Sequence, residues 1–329
     1  MKTLVIIFLI LVAGMLSVRG QEFDVMFYNV ENLFDTVDDT TRNDDEFLPD
    51  GNRRWTKNRY YKKINGLARV IVAGGQWELP MLAGLCEVEN EQVVSDLVFG
   101  TILSAGNYGI VHRESPDPRG IDLALVYRRE FVRILEVRSW IPYYEEPSKF
   151  ESRNLLYAKM TIFGDTLHVI LCHFPSRRGG VLAAGQVRQK MALLVREKAD
   201  SLINADANAA LIVMGDFNSG TGDETILTMT SGEMLVNAAA GQESRIAGSY
   251  KYQGMWEMID QVLVSASMTE ARSPFQADIP SIRTVSEPFM LSDDAEYPGK
   301  KPFPSYSGFR WAGGYSDHLP VIITIRHTR

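Results

Sequence analysis

Residues Leu211-Ile212-Val213-Met214-Gly215-Asp216-Phe217-Asn218-Ser219 pass from an unbroken apolar run straight into a carboxylate and a carboxamide. A short continuous apolar run closed by glycine suits a strand covered on both faces, where polar alternation is lost. The same unit recurs along the chain. Apolar strand candidates lie at 23–28, 81–86, 123–127, 155–162, 167–172, 211–214, 261–265 and 321–325. The first runs into Asn29-Val30-Glu31-Asn32 and the second into Glu87-Val88-Glu89-Asn90. The fifth ends at His173-Phe174-Pro175-Ser176, Asp260 opens the seventh, and Ser316-Asp317-His318-Leu319-Pro320 precedes the last.

Between strands, apolar residues fall at helical spacing. Residues 57–73 carry Tyr60, Ile64, Leu67, Ala68 and Ile71, and 182–202 carry Ala184, Val187, Met191, Leu194 and Val195. A shorter helix is expected at 91–103. Residues 35–54 and 273–307 are polar and rich in turn formers, and read as surface loops. Strands outnumber helices, and no repeat or linker divides the chain. The pattern predicts an α/β fold of two packed sheets with helices outside. A 329-residue chain with 45% hydrophobic residues can fill such a core.

The first twenty residues stand apart. Lys2 precedes an apolar stretch from residue 4 to 18, followed by Arg19-Gly20-Gln21, which is the layout of a secretory signal peptide cut before Gln21. The run is short for a membrane span, so no stable membrane insertion is expected after cleavage. The expected mature chain is one domain over 21–329, a monomer exported to the periplasm or the extracellular space. An exported chain could pair its two cysteines, but Cys86 and Cys172 each sit inside an apolar strand. Two buried free thiols are therefore expected.

The formal net charge of −7 excludes a protein that grips polyanions through an overall basic surface. A polyanion would need a local basic cluster or a metal. Arg153 and the pair Arg177-Arg178 beside His173 are the cluster expected to hold phosphate, with Arg113 and Arg119 extending it. Trp140-Ile141-Pro142-Tyr143-Tyr144 could stack on a base, although aromatic residues under a loop are commonly packing.

Taken singly, each strand-end residue is ordinary: a turn former, a cap, a solvated charge, or a satisfied histidine. Together they place carboxylates, carboxamides and imidazoles beside apolar core, where unpaired polar groups are costly. An oxygen-rich set without thiolate suits Mg²⁺, Mn²⁺ or Ca²⁺. A zinc site would more typically recruit several His or Cys, and only five His exist.

The order of these segments resembles the endonuclease/exonuclease/phosphatase, or deoxyribonuclease I-like, family. The matching pieces are Tyr28-Asn29-Val30-Glu31-Asn32, Leu85-Cys86-Glu87-Val88-Glu89-Asn90 and Arg119-Gly120-Ile121-Asp122 running on to Tyr127. They continue with His173-Phe174-Pro175-Ser176, Gly215-Asp216-Phe217-Asn218, Ile259-Asp260-Gln261-Val262 and Ser316-Asp317-His318-Leu319-Pro320. The resemblance implies a four-layer α/β sandwich of two mixed sheets, and a metal-dependent hydrolase of phosphate esters. It implies that Asn29 and Glu87 hold Mg²⁺ (or Mn²⁺ or Ca²⁺), Glu87 being the principal ligand and Asp317 a second-metal or orienting group. Asp260 would position His318, which activates water or steadies phosphate; Asp216 would lie by the nucleophile. Asn218 would donate to a phosphate oxygen, and His173 would face it from the other side.

Relatives act on different esters, so the resemblance leaves substrate open. The expected substrate is extracellular DNA or RNA. The alternatives are a phosphomonoester, a lipid or inositol-phosphate diester, or a binding module without activity.

Overall fold

The computed structural model describes residues 21–76, 78–142, 152–177, 181–242 and 248–328. The expected signal peptide, Tyr143, Tyr144 and Arg178 lie outside them. Strand β1 (Gln21–Leu33) is longer than its apolar heart because it continues through the Asn29-Val30-Glu31-Asn32 turn. It pairs parallel with β2 (Leu82–Val88). Strands β3 (Tyr108–Arg113) and β4 (Asp122–Arg128) form a hairpin beyond β2. The second sheet is built from β5 (Val132–Trp140), β6 (Leu155–Ile162), β7 (Asp165–His173), β8 (Ala210–Asp216), β9 (Leu235–Asn237) and β10 (Asp260–Ser265). The chain then returns to the first sheet through β11 (Phe275–Thr284) and β12 (Val321–His327).

The two six-stranded sheets have the orders β11-β12-β1-β2-β4-β3 and β5-β6-β7-β8-β10-β9. Each has one parallel pair, β1 with β2 and β7 with β8, among antiparallel ones. Their facing sides share a core that includes Phe27, Leu125, Leu171, Met214 and Val262. Helices α1 (Lys57–Gly74) and α2 (Glu91–Phe99) cover the outside of the first sheet through Ile64, Leu67, Val93 and Leu97. Helix α3 (Val181–Ala205) covers the second through Val187, Met191 and Val195. Asn90 starts α2 by accepting the Val93 N–H at 3.0 Å, which satisfies one of the unbonded donors of the first turn. The architecture is the four-layer sandwich expected.

Residues 273–307 correct the sequence reading. They hold β11 and, further on, a short hairpin of Leu291–Asp293 with Lys300–Pro302. Strand β11 lies at the sheet edge, buries Phe275 and Ile282, and breaks register between Asp278 and Arg283. A bulged edge strand has little alternation to display. Helix α2 also stops at Phe99, where Gly100 ends it, and the rest of 91–103 turns into a short 3₁₀ segment. Among the described residues no helix is long and apolar enough to cross a membrane.

Candidate active site at the strand ends

Register assembles the centre. On the second sheet His173 pairs with Asp216 and Asp216 with Asp260, so three functional residues stand in one row across β7, β8 and β10. On the first sheet Asn29 pairs with Cys86, and the next residue, Glu87, falls in the bulge that follows. His318 and Asp317 precede β12. Asn29, His173, Asp216, Asp260 and His318 are all buried, whereas the Glu87 side chain is 17% exposed and the Asp317 side chain 40%.

Local chemistry explains why these segments hold still. Gly215 is required, since a Cβ there would sit 2.4 Å from the Cys172 carbonyl oxygen. Phe174 and Phe217 meet edge to face at 5.2 Å under the site. The Phe174 N–H donates to the Asp216 carbonyl at 2.8 Å, and Asn218 Nδ2 donates to the Phe174 carbonyl at 3.0 Å. Ser316 Oγ donates to the Asn29 carbonyl at 2.7 Å and accepts the His318 N–H at 3.0 Å, tying the Asn29 and His318 segments together. Ser249 Oγ likewise accepts the Asp260 N–H at 3.1 Å. Glu31, Asn32, Glu87 and Asn218 adopt left-handed backbone with φ between 49° and 64°. Such strain in non-glycine residues costs about 1–3 kcal/mol each and gathers at functional sites.

The surroundings of the two histidines shift their pKa values in opposite directions. His318 Nδ1 lies 2.7 Å from Asp260 Oδ2. Burial opposes its charge, yet the Asp260 carboxylate and hydrogen bond, with Asp216 and Asp317, carry its pKa well above the ordinary value. Burial, reinforced by Arg153, Arg119 and His318, pushes His173 well below it. Asp216 lies 3.8 Å from His173 Nε2 and 3.9 Å from His318 Nε2. Burial and the neighbouring Asp260 charge raise Asp216 to about 7.

Asn29 presents Nδ2 to Glu87 Oε1 at 3.3 Å and to Asp216 Oδ2 at 3.1 Å, while its Oδ1 accepts the Glu31 N–H at 2.9 Å. In this arrangement its oxygen serves the turn, and turning the carboxamide over would bring that oxygen to the Glu87 side. Glu87 Oε2 accepts the Asn32 N–H at 2.9 Å. Glu31 faces away from the expected ligand set: it accepts the Ser305 N–H at 2.6 Å and pairs with the fully buried Lys63 at 3.6 Å. Carboxylates with a carboxamide and no thiolate fit a hard divalent cation.

The arginines expected to hold phosphate have protein partners in this structure. Arg153 is buried, bonded to Asp117 at 3.0 Å and to the Phe174 carbonyl at 3.1 Å. Arg119 also pairs with Asp117. Arg177 binds Glu257 at 2.9 Å and the Asn218 carbonyl at 3.2 Å. These contacts tie Arg153 and Arg177 to the segments that follow His173 and Asp216. Trp140 stacks on Tyr157 at 4.7 Å, a packing contact, and both cysteines are buried and free.

A family model for the endonuclease/exonuclease/phosphatase family matches residues 24–327. The chain belongs to this family. It is therefore a hydrolase of phosphate-ester bonds, in a family whose enzymes depend on a divalent metal. No curated protein matches it. Solved structures share the fold at low identity. D. rerio TDP2 complexed with single-strand DNA product is 15% identical, covers 93% of this chain and 99% of its own, and superposes with a TM-score of 0.59. A mannosyl-6-phosphatase of Bacteroides thetaiotaomicron is 17% identical over 92% and 99%, with a TM-score of 0.57. A Bacteroides vulgatus member of the family is 17% identical over 94% and 100%, with a TM-score of 0.59.

Sequence reasoning missed Ser249, Asp117 and Lys63, which hold the family's site in shape. The Tyr250 ring lies 4.8 Å from that of His318.

Proposed function

We propose that this protein is an exported, divalent-metal-dependent phosphoesterase that cleaves phosphodiester bonds, with short or single-stranded nucleic acid as its substrate class. The observation that carries the chemistry is Asp216 standing between His173 and His318, 3.8 and 3.9 Å from their Nε2 atoms, with His318 held by Asp260 at 2.7 Å. Glu87, with Asn29 beside it and Asp317 next to His318, would hold Mg²⁺, or Mn²⁺ or Ca²⁺ by the same ligand chemistry. When bound, the cation supplies Lewis-acid polarisation of a phosphate oxygen. Asp216, raised to about 7, is matched to take the proton of the attacking water near neutral pH. His318, pinned by Asp260, holds its positive charge towards the phosphate as negative charge builds there. Asn218 has a second N–H to offer the same oxygens, since only one is bonded to Phe174. His173 contributes a hydrogen bond from the opposite side.

The arginine pairings favour short substrates. Affinity for long duplex grows with the number of free cations that contact phosphates, and Arg119, Arg153 and Arg177 are committed to Asp117, Asp223 and Glu257. The same pairing supports a second reading, a small phosphomonoester, for which the similar mannosyl-6-phosphatase is a precedent.

Hydrolysis of a single-stranded oligonucleotide, plasmid duplex, RNA and a sugar phosphomonoester, each with Mg²⁺, Mn²⁺, Ca²⁺ or EDTA, tests the proposal. Metal-dependent cleavage fastest on single strands is expected. Turnover of the monoester alone would select the second reading, and no turnover on any substrate would overturn both. Export is checked by N-terminal sequencing of secreted protein, expected to start at Gln21.

A further inference from the structure

The hairpin of β3 and β4 brings three metal-ligating side chains together at the end of the first sheet. His112 is the penultimate residue of β3, Glu114 follows that strand, and Asp122 opens β4. One ligand atom from each lies within 4.8 Å of the other two. His112 and Asp122 are 5% and 1% exposed, and neither His112 Nε2 nor Asp122 Oδ2 has a hydrogen-bond partner. The two atoms face each other as an ion pair that is longer than a good hydrogen bond, so a cation between them would satisfy both better than the pairing does. Their separation is 3.4 Å. A tetrahedral ion with bonds of about 2.1 Å spaces its ligands roughly 3.4 Å apart.

We propose that His112 Nε2, Asp122 Oδ2 and the Glu114 carboxylate form a second cation site, separate from the Glu87 centre, that takes a transition metal such as Zn²⁺, Co²⁺ or Mn²⁺. An imidazole ligand selects such ions over Mg²⁺ and Ca²⁺. Two carboxylates balance the ion's charge. The other Asp122 oxygen accepts the Ser115 N–H at 2.9 Å, which fixes the carboxylate's orientation as outer-shell partners of metal ligands do. Glu114 is 60% exposed and opens the site to solvent. Arg42 lies 3.8 Å from Glu114, but it also donates to the carbonyls of Ser115 at 2.8 Å and Asp117 at 3.1 Å, so it keeps two partners when Glu114 turns inward.

The ion braces the 114–121 turn. That turn presents Asp117 to Arg153, which in turn holds the carbonyl of Phe174 beside His173. Occupancy of this site therefore steadies the loop that carries His173.

The test removes the catalytic ligand first. Full-length Glu87→Gln protein, stripped with chelator, is titrated with Co²⁺ by calorimetry and visible absorption. Expected is one bound Co²⁺ per chain and a rise in Tm, with affinity falling at least about a hundredfold when His112→Gln is added, since losing a direct ligand costs more than the roughly ten- to hundredfold of an outer-shell partner. Should that variant fail to fold, Glu114→Gln is the substitute, and cobalt-edge X-ray absorption of the Glu87→Gln protein reads one imidazole ligand. No Co²⁺ bound to Glu87→Gln, affinity unchanged by His112→Gln or Glu114→Gln, or an all-oxygen shell would overturn the proposal.

Discussion

Replacing Asp260 by asparagine separates the chemistry of the centre from its stability. Asp260 is fully buried, its Oδ2 lies 2.7 Å from His318 Nδ1, and its Oδ1 has no hydrogen-bond partner. Asparagine keeps the shape and removes the charge. A charge-assisted hydrogen bond of this kind is worth about 1.5–3 kcal/mol. Without it, the pKa of His318 falls back towards the ordinary value and the ring holds its proton less tightly. The carboxamide can also present N–H to Nδ1, which reverses the tautomer. Together these effects should lower kcat by about 10²–10⁴-fold. The fold loses little, because the substitution also removes a like charge from the cross-strand partner of Asp216. Unfolding free energy should stay within about 1 kcal/mol of the wild type, the usual span of one hydrogen bond. The assay pairs turnover of an aryl phosphodiester at saturating Mg²⁺ with urea denaturation, and reads the His318 ring by ¹⁵N NMR. Wild-type kcat with a neutral His318 would refute the reasoning. So would a loss of activity matched by an equal loss of stability.

Other outcomes follow from burial. Arg153→Met leaves the buried Asp117, whose pKa Arg153 and Arg119 hold down against burial, with Arg119 as its one arginine, and should cost about 1–3 kcal/mol in urea denaturation, less than a charge left with no partner. Burial, then Lys159, depresses His168 below its ordinary 6.5 despite Asp206 and Glu136, and Tyr157 Oη lies 2.8 Å from its Nδ1. The unfolded chain therefore takes up a proton that the folded chain refuses, so this contribution is complete above pH 6.5 and fades as pH falls. Removing it with His168→Gln should flatten the acid limb of the Tm–pH curve. Cys86 and Cys172 are buried with raised pKa values, so neither should react with an aromatic disulfide reagent until the protein unfolds.

What the sequence displayed depended on which faces of each strand are covered. Residues 211–214 are apolar without interruption because β8 lies between β7 and β10 with core on both sides. Strand β5 is an edge strand with Arg133, Glu136 and Arg138 along it, so its apolar pattern is diluted and it went unread. The candidate site residues were legible because each borders an apolar run, at its end for Asn29, Glu87, His173 and Asp216 and at its start for Asp260 and His318. Their supports were not. Ser316 reaches Asn29 across 287 residues, and Asp117 acts through Arg153, 36 residues away, contacts that no local pattern encodes. The left-handed turns at Glu31 and Glu87 carry no glycine to announce them. The arginines show the converse: their position beside His173 was visible, but the acids that occupy them come from distant loops.

The central claim, metal-dependent phosphoester hydrolysis centred on Glu87, Asp216 and His318, is tested most directly by one comparison. Turnover of bis(p-nitrophenyl) phosphate is measured for wild type and Glu87→Gln, with Mg²⁺ and with EDTA. The account predicts wild-type turnover that EDTA abolishes and Mg²⁺ restores, and a loss of at least about 100-fold in Glu87→Gln, given how much such a centre owes to its cation. Turnover that resists EDTA, or a Glu87→Gln protein as fast as the wild type, would contradict it.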